Sequence, residues 1–225
     1  HKVDKFIYLS SVVAIGASFD GKPLNENSPY NIEHLDLGYF QTKHEAEKIV
    51  VDAYKEHGLK TYILNPSTIY GEGDATKGSR KTQVKVAKGK FPFYTPGGVN
   101  ITSIKDVLYC LDVVAEKGRP GERYIVAGDN ITIKQLFETI ADSAGVKPPQ
   151  IGLAKPVIKV LGYLGDFLSL FDIKGPMSSE TAWTSTLHHW FSSEKAQTEL
   201  GLKPTPHQVA INESVTWMKE NGYLD

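Results

Sequence analysis

Residues 38–50, GYFQTKHEAEKIV, decide the fold because they predict a helix that lies between two strands. The apolar residues of one helical face recur at the expected spacing: Ala46, Ile49, Val50 and Ala53. Gly58 is a natural residue to follow a helix end. Residues 5–9 (KFIYL) and 60–64 (KTYIL) are β-rich runs on either side. This order predicts two parallel strands joined by a right-handed crossover.

Further elements follow along the chain, so an α/β fold is predicted. Residues Thr132 and Gln135 have the spacing of a capping box and mark the start of one helix. The segment from Pro66 to Gly98 is rich in glycine and proline and predicts mostly loop. The other predicted elements are strands at 100–104 and 123–128 and helices at 105–118, 133–144, 193–201 and 206–220.

Composition excludes several classes of function. The 225 residues carry a formal net charge of −1, which gives no sign of a nucleic-acid or membrane partner. The single cysteine, Cys110, excludes an internal disulfide and a cysteine-based zinc site. His188 and His189 are adjacent but lack further ligands at a fitting spacing, so they predict packing or surface positions and no metal.

The stretch 151–173 is apolar but is interrupted by charged residues and a proline, too often for a membrane span. It predicts an amphipathic helix that lines a cleft or closes a core. Contact with a membrane surface and contact with an apolar substrate are the two alternatives.

Tyr39 and Lys43 are the first candidates for chemistry. One helical turn apart, they share a face, and the ammonium of Lys43 favours the phenolate form of Tyr39. Such a tyrosine can act as a general acid or base toward a carbonyl or an alcohol. Ser11 ends the first strand and Pro66 the second, and the carboxyl ends of parallel strands face one ligand crevice. The Tyr39–Lys43 spacing alone is weak evidence for a catalytic role, but Ser11 and Pro66 are predicted to lie at the same crevice of the sheet.

Seven motifs are spread over nearly the whole chain: FIYLSSVVAIG, GYFQTKHEAE, LNPSTIYGEGD, SIKDV, GRPGERYIVAGDNITIKQLFE, SSEKAQTELGLKPTP and ESVTWMKENGYL. Together, and in this order, they resemble the extended short-chain dehydrogenases/reductases, also called the NAD-dependent epimerase/dehydratase family. Within that family the chain looks most like the dihydroflavonol-4-reductase-like and hopanoid-associated epimerase-like members.

The resemblance implies a role for each matching residue. Ser11 would hold the substrate oxygen, Tyr39 would transfer its proton, and Lys43 would stabilise the phenolate and bind the nicotinamide ribose. Pro66 and Ser67 would pack on the nicotinamide end of NAD or NADP. The implied activity is hydride transfer between this cofactor and a carbonyl or alcohol carbon of a small molecule.

The resemblance also divides the chain. Residues 1–70 and 100–128 would form the C-terminal portion of a Rossmann dinucleotide-binding domain, and residues 71–99 and 129–225 a smaller, mostly helical substrate-binding domain. The glycine-rich turn of the family is not found, and the chain starts at the family's fifth strand. We therefore expect a missing N-terminal part, which holds the residues that select NAD or NADP, and an inactive fragment.

The substrate is expected to be a weakly charged ketone or a flavonoid-like or sterol-like ring. Thr68 would face it, and Arg80 is the only arginine in a plausible substrate loop. Asp106 favours a structural role over substrate contact. A nucleotide-sugar epimerase or dehydratase and a catalytically silent dinucleotide-binding protein are the alternatives. A cytoplasmic protein that can form a homodimer is expected.

Overall fold

The computed structural model describes residues 3–35, 37–73, 78–173, 175 and 177–225. The chain forms two compact units. The first comprises His1–Gly71, Asn100–Asn130 and Trp190–Ala210, and the second comprises Glu72–Val99, Ile131–His189 and Ile211–Asp225. Residues 190–210 thus belong to the first unit, whereas the sequence placed them in the substrate-binding part. The binding roles of the two parts stay predictions.

The described residues form strands and helices that are interspersed along the chain. The strands are β1 (Lys5–Leu9), β2 (Lys60–Pro66), β3 (Thr68–Tyr70), β4 (Phe93–Tyr94), β5 (Gly98–Ser103), β6 (Arg123–Val126), β7 (Asp129–Thr132), β8 (Ile151–Gly152) and β9 (His188–His189). The helices are α1 (Gly38–His57), α2 (Gly78–Ala87), α3 (Ile104–Lys117), α4 (Ile133–Ala144), α5 (Lys155–Ser169), α6 (Ser179–Thr184), α7 (Glu194–Leu200) and α8 (His207–Glu220).

In the first unit, β1, β2 and β6 form a parallel sheet in the order β1-β2-β6. Tyr8 lies opposite Ile63, and Pro66 lies opposite Val126, so the strand ends that follow these residues share one edge. The predicted parallel pair with its helical crossover is confirmed. Strand β3 pairs in parallel with the end of β5, where Tyr70 lies opposite Ser103.

The core of the first unit packs α3 and α7 on the sheet. Strand β2 is buried from Thr61 onward because it lies in the middle of the sheet. The cluster on this side consists of Tyr62, Leu64, Val107, Cys110, Val114, Tyr124, Val126, Ala196, Leu200 and Leu202. A smaller cluster is formed by Val12, Ile15, Ile125, Ala127 and Phe191.

Helix α1 follows the predicted bounds but buries a different face. It ends at Gly58, whose left-handed conformation at φ 68° is the predicted helix stop. Its buried residues are Phe40, Glu47 and Val50, whereas Ile49 is 71% exposed. The predicted apolar stripe is therefore wrong at Ile49, and a carboxylate occupies part of the buried face.

The second unit is mostly helical. In α5, Ile158, Gly162 and Gly165 are buried, and the two glycines allow close approach of the α6 segment. The opposite face exposes large apolar side chains: Val157, Val160, Tyr163, Leu164 and Phe167. The predicted amphipathic helix is confirmed within 151–173, and one of its faces closes a core. Within the described ranges, no helix combines the length and the apolar character that crossing a bilayer requires.

The predicted loop from Pro66 to Gly98 is wrong in part. It contains β3, α2 and β4, while residues 74–77 lie outside the described residues. Helix α2 is not predicted by apolar periodicity because polar side chains lie on its buried face. Arg80 and Gln83 are both buried, and the Gln83 amide donates to Ser214 Oγ at 3.1 Å.

Candidate functional site

The end of β1 presents a serine pair whose members have different partners. Ser10 is buried and its hydroxyl donates to the Glu47 carboxylate at 2.6 Å. Ser11 caps a short 3₁₀ turn over residues 12–14, and its Oγ accepts from the Val13 backbone N–H at 3.4 Å. Because this contact uses Ser11 as an acceptor, its hydroxyl hydrogen can still be donated to a ligand oxygen.

Tyr39 and Lys43 lie in the first turns of α1, beside β1. The Lys43 ammonium lies 5.7 Å from the centroid of the Tyr8 ring, and Tyr39 is 56% exposed. Burial raises the pKa of the Tyr8 phenol, and the nearby charges of Glu47 and Tyr39 raise it further. Tyr39 and Lys43, two of the three predicted catalytic residues, therefore lie close to Tyr8, and the third, Ser11, follows Tyr8 by three positions in the chain.

Pro66 and Ser67, which the sequence predicts to contact the cofactor, lie at the end of β2. Pro66 is buried at the last position of the strand, and the Ser67 backbone N–H donates to Val126 O at 3.0 Å. Ser67 is only 9% exposed, and its Oγ has no hydrogen-bond partner among the described residues. A buried hydroxyl without a partner fits a ligand that brings a polar group to this edge. Thr68, half-buried, begins β3.

Sequence reasoning missed a buried polar cluster beneath these residues. Glu47 accepts from Ser10 Oγ and from Asn65 Nδ2, both at 2.6 Å to Oε2, and from Arg123 Nη1 at 3.2 Å to Oε1. The same Asn65 amide donates to the Ser11 carbonyl at 3.1 Å. The signal was a glutamate four residues after Lys43, on the side of the helix that carries Val50.

Arg80 and Asp106, the other candidate residues, form hydrogen bonds with neighbouring residues of the chain. Arg80 belongs to the second unit, is 5% exposed, and donates to Gln83 Oε1 at 3.4 Å. Its predicted contact with substrate stays a prediction. The Asp106 carboxylate accepts from the Thr205 backbone N–H at 2.9 Å and from its hydroxyl at 2.8 Å. This supports the structural role that the sequence favoured for Asp106.

The adjacent histidines pack within the second unit. His189 Nε2 donates to the Thr184 carbonyl at 3.1 Å, and burial lowers the pKa of its imidazole. The described side chains contain no group of three or more His, Cys, Asp or Glu residues that could together hold a metal ion.

The sequence is similar to a known protein family and to several curated proteins. The model of the 3-beta hydroxysteroid dehydrogenase/isomerase family matches residues 1–115, which carry Ser11, Tyr39 and Lys43. A Synechocystis protein named as a candidate dihydroflavonol 4-reductase is 27% identical, with 99% of this chain and 66% of that protein covered. Sterol demethylase protein B of Methylococcus capsulatus is 25% identical, with 99% and 68% covered.

A solved structure has a similar fold. The crystal structure of gox2253 has a TM-score of 0.86 and 33% identity to this chain, with 99% of this chain and 68% of gox2253 covered. The fold is thus that of the Rossmann-type extended short-chain dehydrogenases/reductases, as the motifs predicted. The chain belongs to the 3-beta hydroxysteroid dehydrogenase/isomerase family. It spans about two thirds of the length of the curated relatives that it matches.

Proposed function

We propose that the protein is an NAD- or NADP-dependent oxidoreductase that acts on a carbonyl or alcohol carbon of a small, weakly charged molecule. The observation that carries this proposal is the placement of Tyr39 and Lys43 beside the end of β1, where Ser11 follows. Family membership supports it. The buried Ser67 hydroxyl, which has no partner among the described residues, supports a cofactor at the adjoining strand end.

In this proposal each residue has one task. Ser11 donates its hydroxyl hydrogen to the substrate oxygen, and Tyr39 gives a proton to that oxygen during reduction or takes one during oxidation. Lys43 stabilises the phenolate form by its positive charge. Pro66 and Ser67 hold the nicotinamide end of the cofactor. NAD or NADP, when bound, supplies or accepts the hydride.

Two observations support a weakly charged ring or ketone as substrate. The only three arginines are Arg80, Arg119 and Arg123, and the last two have partners in the first unit: Arg119 binds Glu199, and Arg123 binds Glu47. Because pyrophosphates are usually gripped by arginine, a nucleotide sugar is the weaker candidate. The names of the two curated relatives, a dihydroflavonol reductase and a sterol demethylase component, agree with this class.

The decisive test replaces Tyr39 with phenylalanine in the full-length protein. Loss of a positioned general acid or base lowers turnover by about 10²- to 10⁴-fold, whereas cofactor affinity should stay within about twofold because the helix is unchanged. Turnover would be followed by NAD(P)H absorbance with a 3β-hydroxysteroid and with a dihydroflavonol. Tyr54→Phe is the matched control, since this tyrosine lies on the same helix, far from its first turn.

The outcomes separate the candidate functions. Unchanged turnover in the Tyr39→Phe protein would refute the proposed role of Tyr39. Conversion of a nucleotide sugar without net consumption of NAD(P)H would identify an epimerase or dehydratase. Cofactor binding without turnover of any substrate would identify a silent dinucleotide-binding protein.

The location and the assembly complete the proposal. We place the protein in the cytoplasm, where a lone cysteine such as the buried Cys110 stays reduced. Two copies would pair through α1, whose outer face exposes Ile49. Light scattering after gel filtration would show a mass of two chains if this pairing is correct and of one chain if it is not.

A further inference from the structure

Glu47 continues the face of α1 that begins with Tyr39 and Lys43. The three residues follow at intervals of four, so that each lies one turn beyond the previous one. Glu47 is the only one of them that is buried, with 4% exposure. A carboxylate buried between the helix and the sheet needs hydrogen-bond donors, because burying an unpaired charge costs free energy.

Residues in or directly after the three strands of the sheet supply those donors. Ser10 follows β1 and donates its hydroxyl, Asn65 lies in β2 and donates its amide, and Arg123 opens β6 and donates its guanidinium. The ion pair with Arg123 is partly shielded from water, since the arginine side chain is 29% exposed and that of Glu47 is 5%. One side chain thus joins the helix to all three strands.

The same cluster reaches Ser11. Asn65 Nδ2 donates both to Glu47 Oε2 and to the Ser11 carbonyl, so the carboxylate and the serine backbone are fixed by one amide. A second contact holds the helix nearby, because His44 Nδ1 donates to the Ala14 carbonyl at 2.9 Å in the turn that Ser11 caps. Rotation or sliding of α1 would break these contacts together.

We propose that Glu47 is a positioning residue, whose buried carboxylate fixes Tyr39 and Lys43 relative to Ser11. This inference rests on the proposed function, because positioning matters only if these residues act on one substrate. A displacement of about 1 Å can cost on the order of 100-fold in rate. A carboxylate can accept from all three donors at once, whereas no neutral side chain of its shape can.

Glu47→Gln tests this directly. Its amide has one acceptor oxygen, and its NH₂ group must face either Arg123 or the Asn65 amide. One donor is then left opposite another donor, and the helix must shift. We expect kcat per cofactor-binding site to fall about 10- to 100-fold while KM stays within about twofold. Hydrogen exchange of the backbone at residues 38–44 should rise.

The matched control is Glu45→Gln, two residues away on the same helix. Glu45 is exposed and pairs with Lys48 alone among the described residues, so its loss should change neither kcat nor exchange. Arg123→Gln is the second variant, should Glu47→Gln fold poorly. Arg123 opens β6 and donates to the Glu47 carboxylate, and its Nε also donates to the Glu26 carbonyl at 2.9 Å. Its replacement leaves the Ser10 and Asn65 contacts of Glu47 in place, so a smaller fall of about threefold to tenfold is expected.

The result that would overturn the inference is a folded Glu47→Gln or Arg123→Gln protein with normal kcat per binding site. Fewer binding sites with normal kcat in each would show a purely structural role and would also overturn it. Tyr39→Phe measured alongside separates the two proposals. If Tyr39→Phe abolishes turnover and Glu47→Gln does not, only the positioning role fails.

Discussion

Replacing Asp106 with alanine should destabilise the first unit by removing two hydrogen bonds to one residue. Asp106 lies in the first turn of α3 and is buried, and its two oxygens accept from the Thr205 backbone N–H and hydroxyl. A hydrogen bond to a charged group contributes about 1.5–3 kcal/mol. Thr205 is half-buried, so water can replace part of this loss. We expect a net decrease of about 2–3 kcal/mol in the free energy of unfolding.

Urea denaturation followed by tryptophan fluorescence measures this change. Asp106→Asn keeps one acceptor and should lose less. Thr205→Ala removes the hydroxyl alone, and a double-mutant cycle with Asp106→Ala should give a coupling energy of about 1 kcal/mol. A decrease below about 0.5 kcal/mol for Asp106→Ala would refute the reasoning. So would an Asp106→Asn protein of normal stability with a raised KM, because Asp106 would then serve the substrate.

Two further predictions concern buried residues. Burial, with a smaller contribution from the charge of Asp106, raises the pKa of Cys110 to about 12. The native thiol should therefore react with iodoacetamide at pH 8 at least 100-fold more slowly than the denatured chain, and labelling at the denatured rate would contradict this. Gly162→Val should lower the free energy of unfolding by about 1–2 kcal/mol, because a Cβ at this position would lie 2.7 Å from the Cβ of Ala182. Val160→Ala on the exposed face should change it by under about 0.5 kcal/mol, and equal effects of the two substitutions would contradict close packing of α5 on the α6 segment.

Local signals predicted the elements well because their causes are local. The capping box of Thr132 and Gln135 is present as predicted, with both reciprocal contacts formed. The parallel pairing of β1 and β2 followed from a strand, a helix and a strand, since a right-handed crossover leaves few alternatives. Strand β3 was missed because three residues give no usable periodicity.

The errors arose where burial depends on partners that are distant in sequence. An apolar pattern predicts that the face of α2 with Arg80 and Gln83 is exposed to solvent. Both side chains are nevertheless buried, because polar partners are available. Ser214, one partner of Gln83, is 131 residues away in the sequence. Ile49 fits the apolar stripe of α1, but the structure exposes it and buries Glu47. Periodicity predicts that a helix has an inner face and leaves the choice of that face to tertiary contacts.

The candidate site likewise combines features set by neighbouring residues with contacts between residues that are distant in sequence. The spacing of Tyr39 and Lys43 is a property of one helix, so the sequence contains it. The contacts that join α1 to the sheet near Ser11 involve Asn65 and Arg123, which lie 18 and 76 positions from Glu47. A sequence can therefore name candidate reacting groups by their spacing, whereas the buried polar contacts around them are revealed only by the folded chain. If, as proposed, the Glu47 cluster fixes the placement of Tyr39 and Lys43, substitutions in that cluster should lower kcat even though they leave Ser11, Tyr39 and Lys43 unchanged.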